Sequence, residues 1–127
     1  MSDGRRPRVL IADDYPDLLT EIRRLLAPDC EVVGSVGDGS ALLEAAERLQ
    51  PDVVVLDVNM PKVCGLDACR QITKAHPSIK VILMTAGGDA ALMGAALAAG
   101  ASAFIEKHAI DESLLSAITT AWVDDGA

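Results

Sequence analysis

Apolar residues follow two alternating rhythms along this chain. Short β-branched runs at residues 8–13, 31–36, 53–57, 80–85 and 102–107 are almost continuously hydrophobic. Strands covered by helices on both faces read this way. Between them the period lengthens to that of a helix. Leu18, Leu19, Ile22, Leu25 and Leu26 make one stripe, ended by Pro28. Leu42, Leu43, Ala46 and Leu49 make a second, stopped before Pro51, and Leu66, Cys69 and Ile72 a third, ending near His76-Pro77. Residues 89–99 read as a fourth helix, and Leu114, Leu115 and Ile118 stripe a fifth. Asp17, Ser40, Asp89 and Asp111 are placed as caps or first-turn acids, and Pro16 suits a helix start. Regular alternation of strand and helix predicts an α/β domain with a parallel sheet.

The fourth helix departs from the rest. Ala90-Ala-Leu-Met-Gly-Ala-Ala-Leu-Ala-Ala99 carries no charge on any face, and Gly94 inside it costs roughly 1 kcal/mol. A helix apolar all round is ordinarily buried, so tight packing on the sheet is the favoured expectation. The alternative is a partner-binding face.

Composition narrows the picture. At 127 residues the chain is one domain, with residues 8–122 as its body and 1–7 and 123–127 as flexible ends, the latter a tail or the start of a linker. Half the residues are hydrophobic but only Tyr15, Phe104 and Trp122 are aromatic, so the core must be aliphatic. Nineteen acidic against eleven basic residues give a net charge of −8, which argues against nucleic-acid binding by this segment. Cys30, Cys64 and Cys69 lack CxxC spacing, and with two histidines a zinc site is not expected. Reduced thiols in the cytoplasm are the simpler reading. The polar start is not followed by a long apolar stretch, so neither a signal peptide nor a membrane span is expected.

Candidate chemistry lies where the strands end. Asp13 and Asp14 close the first run, Asp57 the third, Thr85 the fourth, and Lys107 follows the fifth. Parallel strands would bring these groups to one sheet edge, where open α/β sheets place their sites. Two carboxylates ~4 Å apart repel by roughly 4 kcal/mol at an effective dielectric near 20. Lys107 offsets one of the three charges, and a hard divalent cation such as Mg²⁺ (or Mn²⁺) would offset the other two. A carboxylate can also act as a nucleophile towards phosphorus, with cationic groups and hydroxyls holding the equatorial oxygens.

These residues carry a resemblance. Asp13-Asp14, Asp57-Val-Asn-Met-Pro61, Thr85-Ala86 and Gly100-Ala-Ser-Ala-Phe-Ile-Glu-Lys107 are similar to the receiver domain of two-component response regulators, from Arg8 to about Trp122. The resemblance implies a flavodoxin-like, doubly wound five-stranded parallel sheet of order 2-1-3-4-5 with five helices, an order also known from a chemotaxis receiver. It implies that Asp57 accepts a phosphoryl group from a sensor histidine kinase or a small phosphodonor. Asp14, Asp57 and the Asn59 carbonyl would bind Mg²⁺ directly, and Asp13 mainly through water. Thr85 and Phe104 would be a switch pair, Phe104 packing inward, and Asn59 and Gly87 would tune the self-catalysed loss of the phosphoryl group. Homodimerisation or output control would use the fourth helix, fifth strand and fifth helix.

The match has departures. His108 follows Lys107 where many members have Pro; a cis bond there would cost about 3–4 kcal/mol, so trans is expected. Lys107-His108-Ala109 resembles the branch whose receivers precede a helix-turn-helix DNA-binding domain, so the chain is a stand-alone domain or part of a longer regulator. Cys64 replaces a common Asp or Asn and is read as an inert loop thiol, while His76 is read as a helix cap. Gly87-Gly88 makes the switch loop pliable. Two alternatives compete: a degenerate receiver, which the complete acid, Thr and Lys set opposes, and an aspartyl-phosphate hydrolase, which would need an acid where Asn59 stands. Asp13-Asp-Tyr-Pro-Asp17 is no glycine-rich loop, which excludes a dinucleotide-binding domain.

Overall fold

In a computed structural model, which describes residues 6–88 and 90–126 with side chains of the last helix as far as Val123, five strands alternate with five helices. The strands are β1 (Arg8–Ala12), β2 (Glu31–Val36), β3 (Val53–Asp57), β4 (Lys80–Thr85) and β5 (Ala103–Glu106). The helices are α1 (Pro16–Leu26), α2 (Gly39–Leu49), α3 (Gly65–Ala75), α4 (Ala90–Ala98) and α5 (Ile110–Gly126), with a 3-10 turn over Lys107–Ala109 before the last. All strand pairs are parallel and the order is β2-β1-β3-β4-β5, as expected.

Strand alternation divides the core in two. Leu10, Val54, Leu56 and Leu83 face α2, α3 and α4, while Val9, Ile11, Val55 and Met84 face α1 and α5. Every residue of β3 is buried, which explains its unbroken apolar run. β2 is an edge strand and only partly covered, so the expectation of two-sided burial fails there. The core is aliphatic throughout; Phe104 only borders it.

Local expectations hold for Pro16, Asp17 and His76 and fail for Ser40. Asp38, rather than Ser40, caps α2, its Oδ1 accepting from the Ala41 N–H at 2.7 Å. Tyr15 occupies the cap position of α1, with Pro16 beginning the helix and Asp17 in its first turn. Asp89 lies outside the described residues. His76 ends α3 through its backbone, but its ring pairs with Glu47 of α2 at 3.2 Å. The Pro7 carbonyl accepts from the Glu31 N–H at 2.9 Å, and α5 continues to Gly126. No helix among the described residues is long and apolar enough to cross a membrane.

The uncharged α4 is not the tightly packed helix favoured above. Ala96 is its one fully buried residue, while Met93 and Leu97 are 47% and 55% exposed. The reason is geometric. An outer helix always turns one side to solvent, and alanines on the inner side give it little to bury.

Candidate functional site

The carboxyl ends of the strands form the site. Asp13 follows β1 immediately, and its N–H extends the ladder to the Val36 carbonyl at 3.1 Å. Its side chain is fully buried, with Oδ1 accepting from the Tyr15 N–H at 2.9 Å. One oxygen thus shapes the entry to α1 and leaves Oδ2 to face the crevice. Asp14, next along, stands exposed on the rim. Asp57 ends β3 and is 4% exposed. Carboxylate oxygens of Asp13, Asp14 and Asp57 lie within 4.8 Å of one another.

Lys107 reaches over from the first residue past β5. Its Nζ lies 2.8 Å from Asp13 Oδ2 and 3.4 Å from Asp57 Oδ1. Burial pushes the Asp57 carboxyl pKa up, the Lys107 ammonium pulls it down, and the Asp13 charge pushes it up again. A donated Asn59 N–H also lowers it, yet the net direction is upward. Partial burial works against the Lys107 ammonium, but hydrogen bonding to Asp13 and attraction from both carboxylates outweigh it and raise its pKa.

Gly65 seats Asp57 and Gly39 seats the loop that follows it, roles that the sequence alone does not assign. A Cβ on Gly65 would stand 2.3 Å from the Asp57 carbonyl oxygen and 2.6 Å from Val58 Cα. The start of α3 therefore rests directly on the backbone of the acid, and the Gly65 N–H donates to the Val58 carbonyl at 2.8 Å. A Cβ on Gly39 would stand 2.1 Å from the Val63 carbonyl oxygen, so α2 closes on the same loop. Lys62, between them, takes a left-handed φ of 74° and lies 3.8 Å from Asp38. The detectable signal was a glycine at the first residue of each helix, where a cap or a good helix former is commoner.

The switch candidates Thr85 and Phe104 lie on the neighbouring strands β4 and β5. Thr85 is buried, and its hydroxyl donates to the Gly87 carbonyl at 2.9 Å while accepting from the Gly87 N–H at 3.3 Å. It is engaged with its own loop. Asn59 is exposed, and a Cβ on Gly87 would meet nothing within 4 Å. Phe104 is half-buried, with the end of its ring beside Gly88. No cis peptide occurs among the described residues, so the Lys107–His108 bond is trans as expected. His108 pairs with Glu106 at 2.5 Å on the surface.

The donor set suits a hard divalent cation. It offers only oxygen ligands near a buried Asp13 Oδ2 that, apart from its ion pair with Lys107, finds no hydrogen-bond donor.

A doubly wound sheet bearing such an acid cluster and lysine at its carboxyl edge defines a signalling receiver. The response regulator receiver domain model matches residues 9–119, and the chain belongs to that family. Such domains act in phosphorylation-dependent signalling. The chain is 38% identical over 113 residues to the response regulator GacA of Pseudomonas viridiflava, covering 87% of this chain and 53% of that one. It is 33% identical to the transcriptional regulatory protein DegU of Brevibacillus brevis, covering 87% and 48%. The response regulator domain of Thermotoga maritima CheB superposes with a TM-score of 0.86 at 32% identity, covering 94% and 98%. The chain spans about half the length of the curated relatives it matches.

Proposed function

We propose that Asp57 is the phosphoacceptor of this receiver, within a working unit of residues 8–122. The observation that carries the reading is a buried Asp57 carboxylate 3.4 Å from Lys107 and within 4.8 Å of the Asp13 and Asp14 oxygens. An Asp57 oxygen attacks phosphorus of a phosphohistidine or a small acyl phosphate. The new P–O bond forms as the bond to the donor's nitrogen or oxygen breaks, and that atom leaves with the electron pair. Lys107 then holds a phosphoryl oxygen, and the Thr85 hydroxyl leaves Gly87 to hold another.

Asp14, Asp57 and the Asn59 carbonyl would hold Mg²⁺ or Mn²⁺ directly, with Asp13 acting through water. When bound, the ion supplies positive charge for the carboxylates and the phosphoryl oxygens. Asn59 alone orients water for self-catalysed dephosphorylation, because Gly87 offers no side chain. The partner is a sensor histidine kinase and the compartment the cytoplasm, in keeping with three unpaired thiols. The output surface is α4, β5 and α5, whose exposed Met93 and Leu97 suit a homodimer.

Intact-mass measurement after incubation with acetyl phosphate and Mg²⁺ tests this. One added phosphoryl group is expected, absent in Asp57→Asn; an equal gain in that variant would sink the assignment.

A further inference from the structure

Phe104 meets the β4–α4 loop at a point where no side chain stands. A Cβ on Gly88 would lie 3.0 Å from both Cε2 and Cζ of the ring and 3.1 Å from Thr85 Cγ2. Carbon atoms in comfortable contact stand about 3.5–4.0 Å apart. The ring tip, the Thr85 methyl and the Gly88 backbone therefore share one close-packed spot. Gly88 lies outside the left-handed region, so its backbone does not demand glycine. The demand comes from the ring. Phe104 also lacks a hydroxyl, so no hydrogen bond can fix its orientation and packing decides it.

We propose that Gly88 is a positioning residue of the switch: lacking a side chain, it seats the Phe104 ring against the loop in the unphosphorylated protein, and any side chain at this position displaces the ring. This rests on the reading of Thr85 and Phe104 as the switch pair. It also gives α4 a mechanical input. The carboxyl end of α4 rests against α3: the Ala99 carbonyl accepts from Cys69 Sγ at 3.5 Å and lies 3.2 Å from Thr73 Oγ1, whose single proton also reaches the Cys69 carbonyl at 2.9 Å. Gly88 lies two residues before the opposite end of the helix. Movement of the ring at that end turns α4 about its fixed carboxyl end and reorients the exposed Met93 and Leu97.

The chain contains one phenylalanine, so ring-labelled phenylalanine gives an unambiguous NMR signal from the full chain. In the wild type, contacts between Gly88 Hα and the ring protons are expected, and Mg²⁺ with beryllofluoride should shift the ring resonances. Gly88→Ala without beryllofluoride should already shift them, whereas Gly87→Ala, whose Cβ meets nothing, should not. Coincident ring spectra for Gly88→Ala and wild type overturn this proposal alone. A wild-type ring unmoved by beryllofluoride overturns the switch reading and the proposal with it. Should Gly88→Ala fold poorly, combining it with Phe104→Leu should restore the melting temperature; no recovery in the pair counts against the ring as the obstacle.

Discussion

Lys107 stands closer to Asp13 than to the acid it is expected to serve: Nζ is 2.8 Å from Asp13 Oδ2 and 3.4 Å from Asp57 Oδ1. Before any phosphoryl group arrives, one ammonium is shared between two buried carboxylates, and a residual negative charge stays in the crevice. The energetics of the resting domain follow from this deficit.

Relief of that charge should stabilise the metal-free protein. Asp13→Asn removes one carboxylate while keeping an oxygen for the Tyr15 N–H, a bond that Asp13→Ala would lose. The variant should melt higher than wild type without Mg²⁺ and lower with it. In wild type, saturation to 100 times Kd would add about 2.7 kcal/mol. Thermal melts of both proteins with and without Mg²⁺ decide it; a destabilised metal-free Asp13→Asn contradicts the charge argument.

The pH dependence follows from Asp57. Its pKa is raised by folding, so between the unfolded value and the higher folded value the native state binds more protons. Metal-free stability should therefore fall as pH rises through that window. The Lys107 contribution is present below the usual lysine value and is lost only as pH climbs through its raised one, well outside this range. Urea melts across the acidic range should show the decline in wild type and a flatter profile in Asp57→Asn. Parallel profiles would argue that Asp57 does not carry it.

Thiol chemistry should single out one cysteine. Cys30 and Cys69 are buried, which pushes both thiols up to about 11, whereas Cys64 is exposed. Thiolate is the reactive form, so iodoacetamide at mildly alkaline pH should add one label to the native protein and three after denaturation. Peptide mapping should find that label on Cys64, and native labelling at Cys69 would contradict the packing of α3.

The seat of Asp57 depends on the glycine beneath it. Gly65→Ala would force a methyl to within 2.3 Å of the Asp57 carbonyl oxygen, and backbone must move to admit it. A loss of about 1–3 kcal/mol is expected in urea unfolding, as for overpacked cores. Phosphorylation by acetyl phosphate should slow as well, because the acid shifts relative to Lys107. Unchanged stability would show that α3 can slide away freely.

Much of this protein was legible before folding. Residue period separated strands from helices, and the polar residue ending each apolar run marked the sheet edge, because parallel strands must all finish on the same side. That is why Asp13, Asp57, Thr85 and Lys107 could be gathered from positions far apart in the chain. Capping is less legible: Ser40 and Asp38 are chemically equivalent as caps, and only the path of the backbone selects between them. The exposure of α4 is not legible, because an uncharged sequence says nothing about how much surface its neighbours can cover.

What the amino-acid order determined by itself was the element sequence, the parallel sheet and the type of chemistry at its edge, since each follows from local period and side-chain class. Tertiary structure alone decided how Lys107 divides itself between two acids, why Gly39, Gly65 and Gly88 must be small, and which way Thr85 turns its hydroxyl. Those are distances of a few ångströms between residues remote in the chain, and no local pattern encodes a distance.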